Sequence, residues 1–391
     1  MRSHRQAIEL RPSYAEAYNY LGITLQTFGN LAQAEAVYRQ ALQLKPDYVE
    51  AYANLGITLN GLGRLEEAAA SYRQALELKP DYAEVRLNLS ENYDSMNNFD
   101  EAILELENIL KINVGTCVLK AGVELAIFRF LDDDFTTSKK HLLASSKIQE
   151  LLDLEFQNYI IFWAYLLQIL SWHENKYQTN IDFITSKKLY VIGESHTLVS
   201  HGLSVQTSSD AFLCKAMLIK GCKQWNLGNS ISNQFKTKFE RIFHSIPKSS
   251  EVLLAIGEID CRSDSGIIKH SKKSPEKNLN ELISTTVENY LNYIHNLNSS
   301  CSHKITIQGV PCSNIDTSNI PKEQVKELIS LIRDFNICLK NKSIELAYSF
   351  LDVYTLTDRG DGLSNSIWHL DDIHLTPEAM LEAWRLHLLT N

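Results

Sequence analysis

Between about residues 4 and 113, apolar side chains recur at the three- and four-residue spacing of amphipathic helices, and the whole pattern repeats. The stretch LRPSYAEAYNYLGITLQTFGNLAQAEAVYRQA returns as LKPDYVEAYANLGITLNGLGRLEEAAASYRQA. Pro12, Pro46 and Pro80 lie 34 residues apart, as do Tyr18 and Tyr52, Gly22 and Gly56, and Ala34, Ala68 and Ala102. Each period predicts two helices. Gly22 and Gly56 let the two approach closely, and the alanines are the small residues on the facing helix. The prolines separate one period from the next, because proline cannot continue a helix interior. From about residue 182 the pattern changes to short apolar runs. Residues 188–192 lead into Gly193-Glu194-Ser195-His196, 252–256 into Gly257-Glu258-Ile259-Asp260-Cys261-Arg262, and 304–307 into Gln308-Gly309. Helical stretches fall at about 230–245, 278–297, 321–341 and after Pro377. That alternation predicts a parallel α/β sheet flanked by helices on both faces, with functional residues beyond the carboxyl ends of the strands.

A 34-residue period of two helices resembles the tetratricopeptide (TPR) repeat, an α-solenoid. The third period decays: Ser90 stands where Gly22 and Gly56 stood, and Val114 where a proline is expected. A fourth pair is expected at 118–130 and 135–148. An apolar helix over about 151–172 is read as a cap on the solenoid, since a terminal repeat must hide one face. His4-Arg5-Gln6-Ala7-Ile8 aligns with Tyr38 to Leu42, so the chain starts mid-repeat, as a capping half-repeat or as part of a longer array. Three regions are expected: TPR repeats over 1–113, a degenerate repeat with capping helices over 114–178, and an α/β domain over 180–391. A linker is expected around 173–179. The motifs NYLG, ANLG and LNLS resemble the superhelical TPR region of the O-linked N-acetylglucosamine transferases. That resemblance implies that Asn54 and Asn88 line a groove and grip a bound peptide, while Tyr20 interrupts the ladder in the first repeat. Asn is also common at that position for structural reasons, and both readings stand.

Composition narrows the partners. The net charge is −9, and residues 1–113 hold 10 basic against 16 acidic side chains with no basic stripe, which argues against nucleic acid. The start lacks an apolar leader-like segment, and the apolar run at 159–170 is too short to span a bilayer. Seven cysteines with no Cys-x-x-Cys pair suit a reduced, cytoplasmic setting without a disulfide framework.

The chemistry lies in the last half. Serine is a poor nucleophile unless a neighbouring base takes its proton and a third group orients that base. Ser195 follows a buried strand through Gly193. Asp371 precedes His374 by three residues, so one loop can present the base with its orienting carboxylate. Over 188–391 this order resembles the SGNH (GDSL-type) hydrolases, which carry Gly-Asp-Ser, a second-block Gly, Gly-x-Asn-Asp and Asp-x-x-His. The resemblance implies a three-layer α/β fold with Ser195 as nucleophile, His374 as base and Asp371 as orienter. Glu194 replaces the Asp of the first block, and Gly257-Glu-Ile-Asp260 lacks the third-block Asn that serves as oxyanion donor. For the second block Gly228 is chosen, with Gly221 the alternative. The GESH and GEIDCR motifs are similar to a variant set of bacterial SGNH-like domains found beside glycan-assembly genes. There, Arg262 or Glu258 stands in for the missing Asn.

Other clusters weigh less. His196 reads as a wall or positioning residue, because a neighbour in sequence seldom faces the serine hydroxyl. His369, Asp371, Asp372 and His374 are weaker as metal ligands, since no further motif completes a site. Asp132-Asp133-Asp134 reads as a solvated turn, and Ser271 to Lys277 as an exposed loop that could clamp an anion. The leading expectation is a serine esterase or acyltransferase acting on O-acyl groups of a glycan or other acylated small molecule. Ser195 and Gly228 N–H groups would hold the oxyanion, no cofactor is implied, and a TPR groove would bind a protein or peptide. The rival is an SGNH-like domain without catalysis in a TPR scaffold. A fragment over 180–391 is expected to hydrolyse an activated ester as well as the full chain.

Overall fold

The computed structural model describes residues 2–113, 115–145, 157–177, 187–207, 210–263, 265–272 and 278–390. The chain forms two units: Met1–Ile160 with Ile231–Arg241, and Ile161–Ser230 with Ile242–Asn391.

The first unit is a run of helical hairpins. After α1 (Arg2–Leu10) come α2 (Ala15–Thr27) and α3 (Leu31–Leu44), α4 (Val49–Gly61) and α5 (Leu65–Leu78), and α6 (Ala83–Ser95) and α7 (Phe99–Ile112). A fourth pair follows, α8 (Cys117–Leu131) and α9 (Phe135–Ser145); the rest of the expected helix to 148 lies outside the described residues. The glycines of the first two repeats serve one ring each. A Cβ on Gly22 would sit 2.5 Å from the Tyr38 ring, and one on Gly56 would sit 2.5 Å from Tyr72. Both tyrosines are buried, so each helix pair is keyed by an aromatic ring laid on a bare backbone. One period later Ser90 replaces the glycine, and Leu106 occupies the position of the tyrosine. Glycine and tyrosine are lost together. The turn within each hairpin needs a left-handed residue, supplied by Gly29, Gly63, Asn97 and Asp133. Asn and Asp tolerate that conformation better than other side chains. The Asp132–Asp134 stretch is therefore a structural turn, with Asp134 accepting the Thr137 N–H at 3.0 Å.

The expected cap of the solenoid is corrected. Residues 151–156 lie outside the described residues, and α10 (Gln157–Tyr177) joins the second unit from Ile161 onward. Its Tyr165, Leu166, Ile169 and Leu170 are fully buried. His173 lies against Gly202, and the Trp172 indole N–H donates to Glu378. The helix is apolar because it serves the α/β core, and the expected linker at 173–179 is helical as far as Tyr177. A boundary at 180 cuts through this packing.

The second unit holds a six-stranded sheet in the order β2-β3-β1-β4-β5-β6. The strands are β1 (Lys188–Gly193), β2 (Ser204–Gln206), β3 (Ala211–Leu218), β4 (Glu251–Ala255), β5 (Lys304–Gln308) and β6 (Ser349–Leu351). It is mixed rather than all-parallel, because β2 runs antiparallel beside β3 at one edge. Helices α11 (Gln224–Gly228), α13 (Ile267–Ser271), α14 (Leu279–Asn298), α15 (Lys322–Glu345), α16 (Val353–Thr357) and α17 (Pro377–Thr390) connect and follow the strands, while α12 (Gln234–Ser245) belongs to the first unit as far as Arg241. The chain moves from β1 outward to β3, then returns past β1 to β4, β5 and β6. Right-handed crossovers then lie on opposite faces of the sheet, and a crevice opens at the reversal, beyond the carboxyl ends of β1 and β4.

Candidate active site

Ser195 stands at that reversal. Gly193 ends β1 so close to β4 that a Cβ there would lie 2.1 Å from the Ala255 carbonyl oxygen. Only glycine allows the two strand ends to meet. Glu194 then turns the chain, and Ser195 opens a 3-10 helix over Ser195–Ser200. As the first residue of a helix, it has a backbone N–H without an intrahelical acceptor.

The loop before α17 brings the partners. His374 Nε2 lies 2.9 Å from Ser195 Oγ, and His374 Nδ1 lies 2.7 Å from Asp371 Oδ2. Asp371 Oδ1 accepts the backbone N–H groups of Ile373 at 2.8 Å and His374 at 2.7 Å. Burial alone would raise the Asp371 carboxyl, but the His374 ring and these N–H donors pull it down to about 2. It stays ionised and fixes the His374 tautomer with Nε2 facing the serine. Ser195, His374 and Asp371 thus form one hydrogen-bonded chain.

Two groups around this chain have contacts that the sequence motifs do not assign. Tyr165 of α10 stacks its ring on His374, with centroids 3.9 Å apart and planes 17° from parallel. Its hydroxyl donates to the Ser195 carbonyl oxygen at 3.0 Å, and burial pushes the phenol pKa up, so it remains a neutral donor. An aromatic face beneath an imidazole favours the charged ring when it forms. Tyr165 lay in a run read only for its hydrophobicity; no motif marks it.

Glu194 is the second. Its Oε2 accepts from Ser195 Oγ at 2.8 Å, and its Oε1 pairs with His196 Nδ1 at 2.9 Å. His196 Nε2 lies 3.1 Å from the Ile373 carbonyl oxygen, which can only accept, so that nitrogen carries a proton. Burial works against both charges. The charge and hydrogen bond of His196 nevertheless hold Glu194 below the usual carboxylate range, and those of Glu194 hold His196 above the usual histidine range. His196 is a strut tying the end of β1 to the loop that carries His374. The single Ser195 proton has two acceptors in reach, Glu194 and His374.

Several expected roles change. A Cβ on Gly228 would meet Asn289 and the Tyr290 backbone at 2.9 Å, so this glycine is bare where α11 packs on α14. The Arg262 guanidinium is bound to Glu258, with Nε 2.9 and 2.8 Å from the two carboxylate oxygens and Nη2 at 2.6 Å. Three of its contacts thus form a salt bridge with Glu258. Asp260 is buried and pins the chain after β3 to the loop after β4, accepting the N–H groups of Gln224 at 2.7 Å and Trp225 at 3.3 Å. Burial outweighs those donors and pushes its carboxyl up to about 7. Gln308, at the end of β5, borders a small cavity shared with Glu194, His196, Gly257 and Glu258. Its Oε1 is buried with no hydrogen-bond partner.

The suggested histidine–aspartate metal set does not converge. His369 Nδ1 bonds Ser364 Oγ at 2.9 Å, and Asp372 is exposed. Among the described residues, Glu194, His196 and Glu258 offer ligand atoms within 4.8 Å of one another. Those atoms are already spent on ion pairs with each other and with Arg262. In the helical unit, Asn54 donates to Asn19 Oδ1 at 3.0 Å, and Asn19 donates to the Tyr48 hydroxyl at 3.2 Å. Asn54 thus has a structural role; Asn88 is half-buried. Of the loop Ser271 to Lys277, residues 273–277 lie outside the described residues.

The tetratricopeptide repeat family matches residues 3–49, 21–83 and 59–116. The N-terminal helices are TPR repeats. No curated protein gave a significant match. Among solved structures, MamA from Desulfovibrio magneticus RS-1 is 18% identical, covering 39% of this chain and 85% of its own, with a TM-score of 0.36. YrrB, described as a TPR protein with an unusual peptide-binding site, is 17% identical over 44% of this chain and 84% of its own, at 0.36. Pseudomonas aeruginosa pilF is 22% identical over 42% and 70%, at 0.34. Scores this low add nothing further. Among the described residues no helix is long and apolar enough to cross a membrane.

Proposed function

We propose that the second unit is a serine esterase or acyltransferase of the SGNH type, acting on an O-acyl group, and that the TPR unit binds a peptide partner. The observation that carries the reading is the Ser195–His374–Asp371 chain at 2.9 and 2.7 Å. Ser195 Oγ attacks the ester carbonyl while its proton passes to His374 Nε2. Asp371 and the Tyr165 ring stabilise the imidazolium. The Ser195 N–H holds the oxyanion, and Gln308 is the side chain closest in kind to the missing third-block Asn. His374 returns its proton to the leaving alcohol. It then activates water, or an acceptor hydroxyl, to free the acyl group from the serine.

A second reading is favoured by one observation. Glu194 Oε2, 2.8 Å from Ser195 Oγ, competes with His374 for the nucleophile's proton. A domain held in that state would keep the fold without catalysis and serve as a scaffold. Labelling with a fluorophosphonate decides between them. Covalent labelling lost in Ser195→Ala supports the enzyme. Absence of labelling from about pH 6 to 9, across the range in which histidine charge changes, supports the scaffold.

A further inference from the structure

A second cavity, which shares no lining residue with the one beside Glu194, lies on the chain that follows β3 and the chain that follows β4. These are the strands on either side of β1, and all three run parallel. The cavity therefore opens at the same carboxyl edge of the sheet that carries Ser195. Its volume is about 190 Å³, room for roughly six water molecules or one six-membered ring with its substituents.

Its walls are unlike in character. Trp225 is 39% exposed, and its indole lies 4.9 Å from the His270 ring at a 43° tilt. Ile267 and Leu282 complete an apolar side. Opposite in chemistry are Lys223, whose ammonium donates to the Ser265 carbonyl oxygen, and Lys269. The lining carries two ammonium groups, Lys223 and Lys269, against one carboxylate, Asp260, which feels the Lys223 charge, so the balance is positive. The wall is also built to shape. Gly266 folds back so tightly that a Cβ there would lie 2.1 Å from the Asp260 carbonyl oxygen. A flat indole beside ammonium groups suits a ligand with an apolar face and an anionic edge.

We propose that this cavity is a subsite for one anionic sugar ring, a uronic-acid type of monosaccharide unit, stacked on Trp225 with its carboxylate toward Lys223 and Lys269. The proposal rests on the esterase reading only in taking that ring as the carrier of the acyl group; binding itself requires no turnover. It gives the acyl carrier a place on the chain that follows the two strands flanking β1.

The test is calorimetric titration of the full-length Ser195→Ala protein with glucuronate, glucose and benzoate. Glucuronate is expected to bind at least 10-fold more tightly than either glucose, which lacks the charge, or benzoate, which lacks the hydroxyls. Trp225→Ala is expected to weaken glucuronate at least 10-fold, Lys269→Ala about 3- to 5-fold, and Trp225→Phe to restore part of the loss, with thermal melts confirming folded variants. Equal affinity for glucuronate and glucose, tighter binding of benzoate, an unchanged affinity in folded Trp225→Ala, or no saturable binding up to ~50 mM would each overturn the subsite. If fluorophosphonate labelling fails while glucuronate binding holds, the esterase reading falls and the subsite stands.

Discussion

The two units use glycine in different ways, and the difference explains which parts of the protein can be read from its sequence. In the TPR unit one solution is written twice: Gly22 under Tyr38, Gly56 under Tyr72. When the third repeat abandons the glycine it abandons the ring as well, so each repeat remains internally consistent. In the α/β unit Gly193 and Gly266 each make room for a backbone carbonyl at a single place, with no second copy. Repetition advertises a packing rule; a unique contact does not. The repeat unit should therefore tolerate local change in degrees, while the α/β unit should fail sharply at single positions.

The sharpest failure is expected at Ser195, the proposed nucleophile. Ser195→Ala is expected to lower esterase turnover by about 10⁴-fold or more while leaving the melting temperature nearly unchanged. Steady-state hydrolysis of an activated ester, with a thermal melt alongside, checks both halves of that statement. Near-normal turnover would remove Ser195 from the chemistry.

Next comes the truncation. A fragment over 157–391 keeps Tyr165 on His374, whereas one over 180–391 loses it together with Leu166, Ile169 and Leu170. Losing several fully buried side chains costs on the order of 2 kcal/mol or more each, enough to unfold a marginal domain. The longer fragment is expected to react with fluorophosphonate and the shorter to be unfolded by circular dichroism. A folded, reactive 180–391 fragment would return α10 to the role of a cap.

This boundary shows where sequence reading stops. The apolar pattern of α10 identifies a buried helix but not what buries it, so a solenoid cap and a domain core read alike. The meeting of Ser195, Asp371 and His374 was legible because the sequence places them in the order of the family it resembles, and one short loop carries both the carboxylate and the imidazole. Gly228 was chosen for its place before a helix, yet its neighbours on α14 decide its role. Strand β3 was missed because Lys215 interrupts it; its buried residues Phe212, Cys214, Ala216 and Leu218 show the alternation of a strand.

The buried pair of Glu194 and His196 ranks third. His196→Leu leaves a carboxylate without its partner and is expected to cost about 3–5 kcal/mol of stability. The pH dependence has a definite sign. Glu194 titrates below its unfolded value of about 4.3, so its contribution is present above that pH and is lost as pH falls through the lowered value. His196 titrates above its unfolded value of about 6.5, so its contribution is full below that pH and is lost as pH rises through the raised value. The gap between wild type and variant, from urea melts across pH, should be widest near about pH 4.5–6.5 and narrow on both sides. A gap independent of pH would mean the pair is not ionised.

A smaller effect is expected among the repeats. Gly56→Ala drives a methyl against Tyr72 and should cost about 1–3 kcal/mol. Adding Tyr72→Leu, the pairing that the third repeat already uses, should recover part of that loss. Chemical denaturation of the single and double variants measures the coupling; strict additivity would show that the ring and the glycine are independent.

The smallest effect concerns Arg262, and it tests whether the missing third-block Asn has been replaced. Its guanidinium is held by both oxygens of Glu258, and its side chain is 31% exposed. A partly solvated pair of this kind stabilises by at most about 1 kcal/mol, and a guanidinium committed to a carboxylate has little reach for a transient oxyanion. Gln308 is buried beside Glu194 and His196 with its Oε1 unpartnered; that oxygen only accepts, so it is the NH2 group of this carboxamide that would meet an oxyanion. Arg262→Ala should therefore change kcat less than about 3-fold with a slightly lower Tm, while Gln308→Leu should lower kcat by about 10²-fold with an unchanged or higher Tm. The opposite pattern, kcat lost with Arg262 and kept with Gln308→Leu, would require Glu258 to release the guanidinium when substrate binds. That release would return Arg262 to the oxyanion.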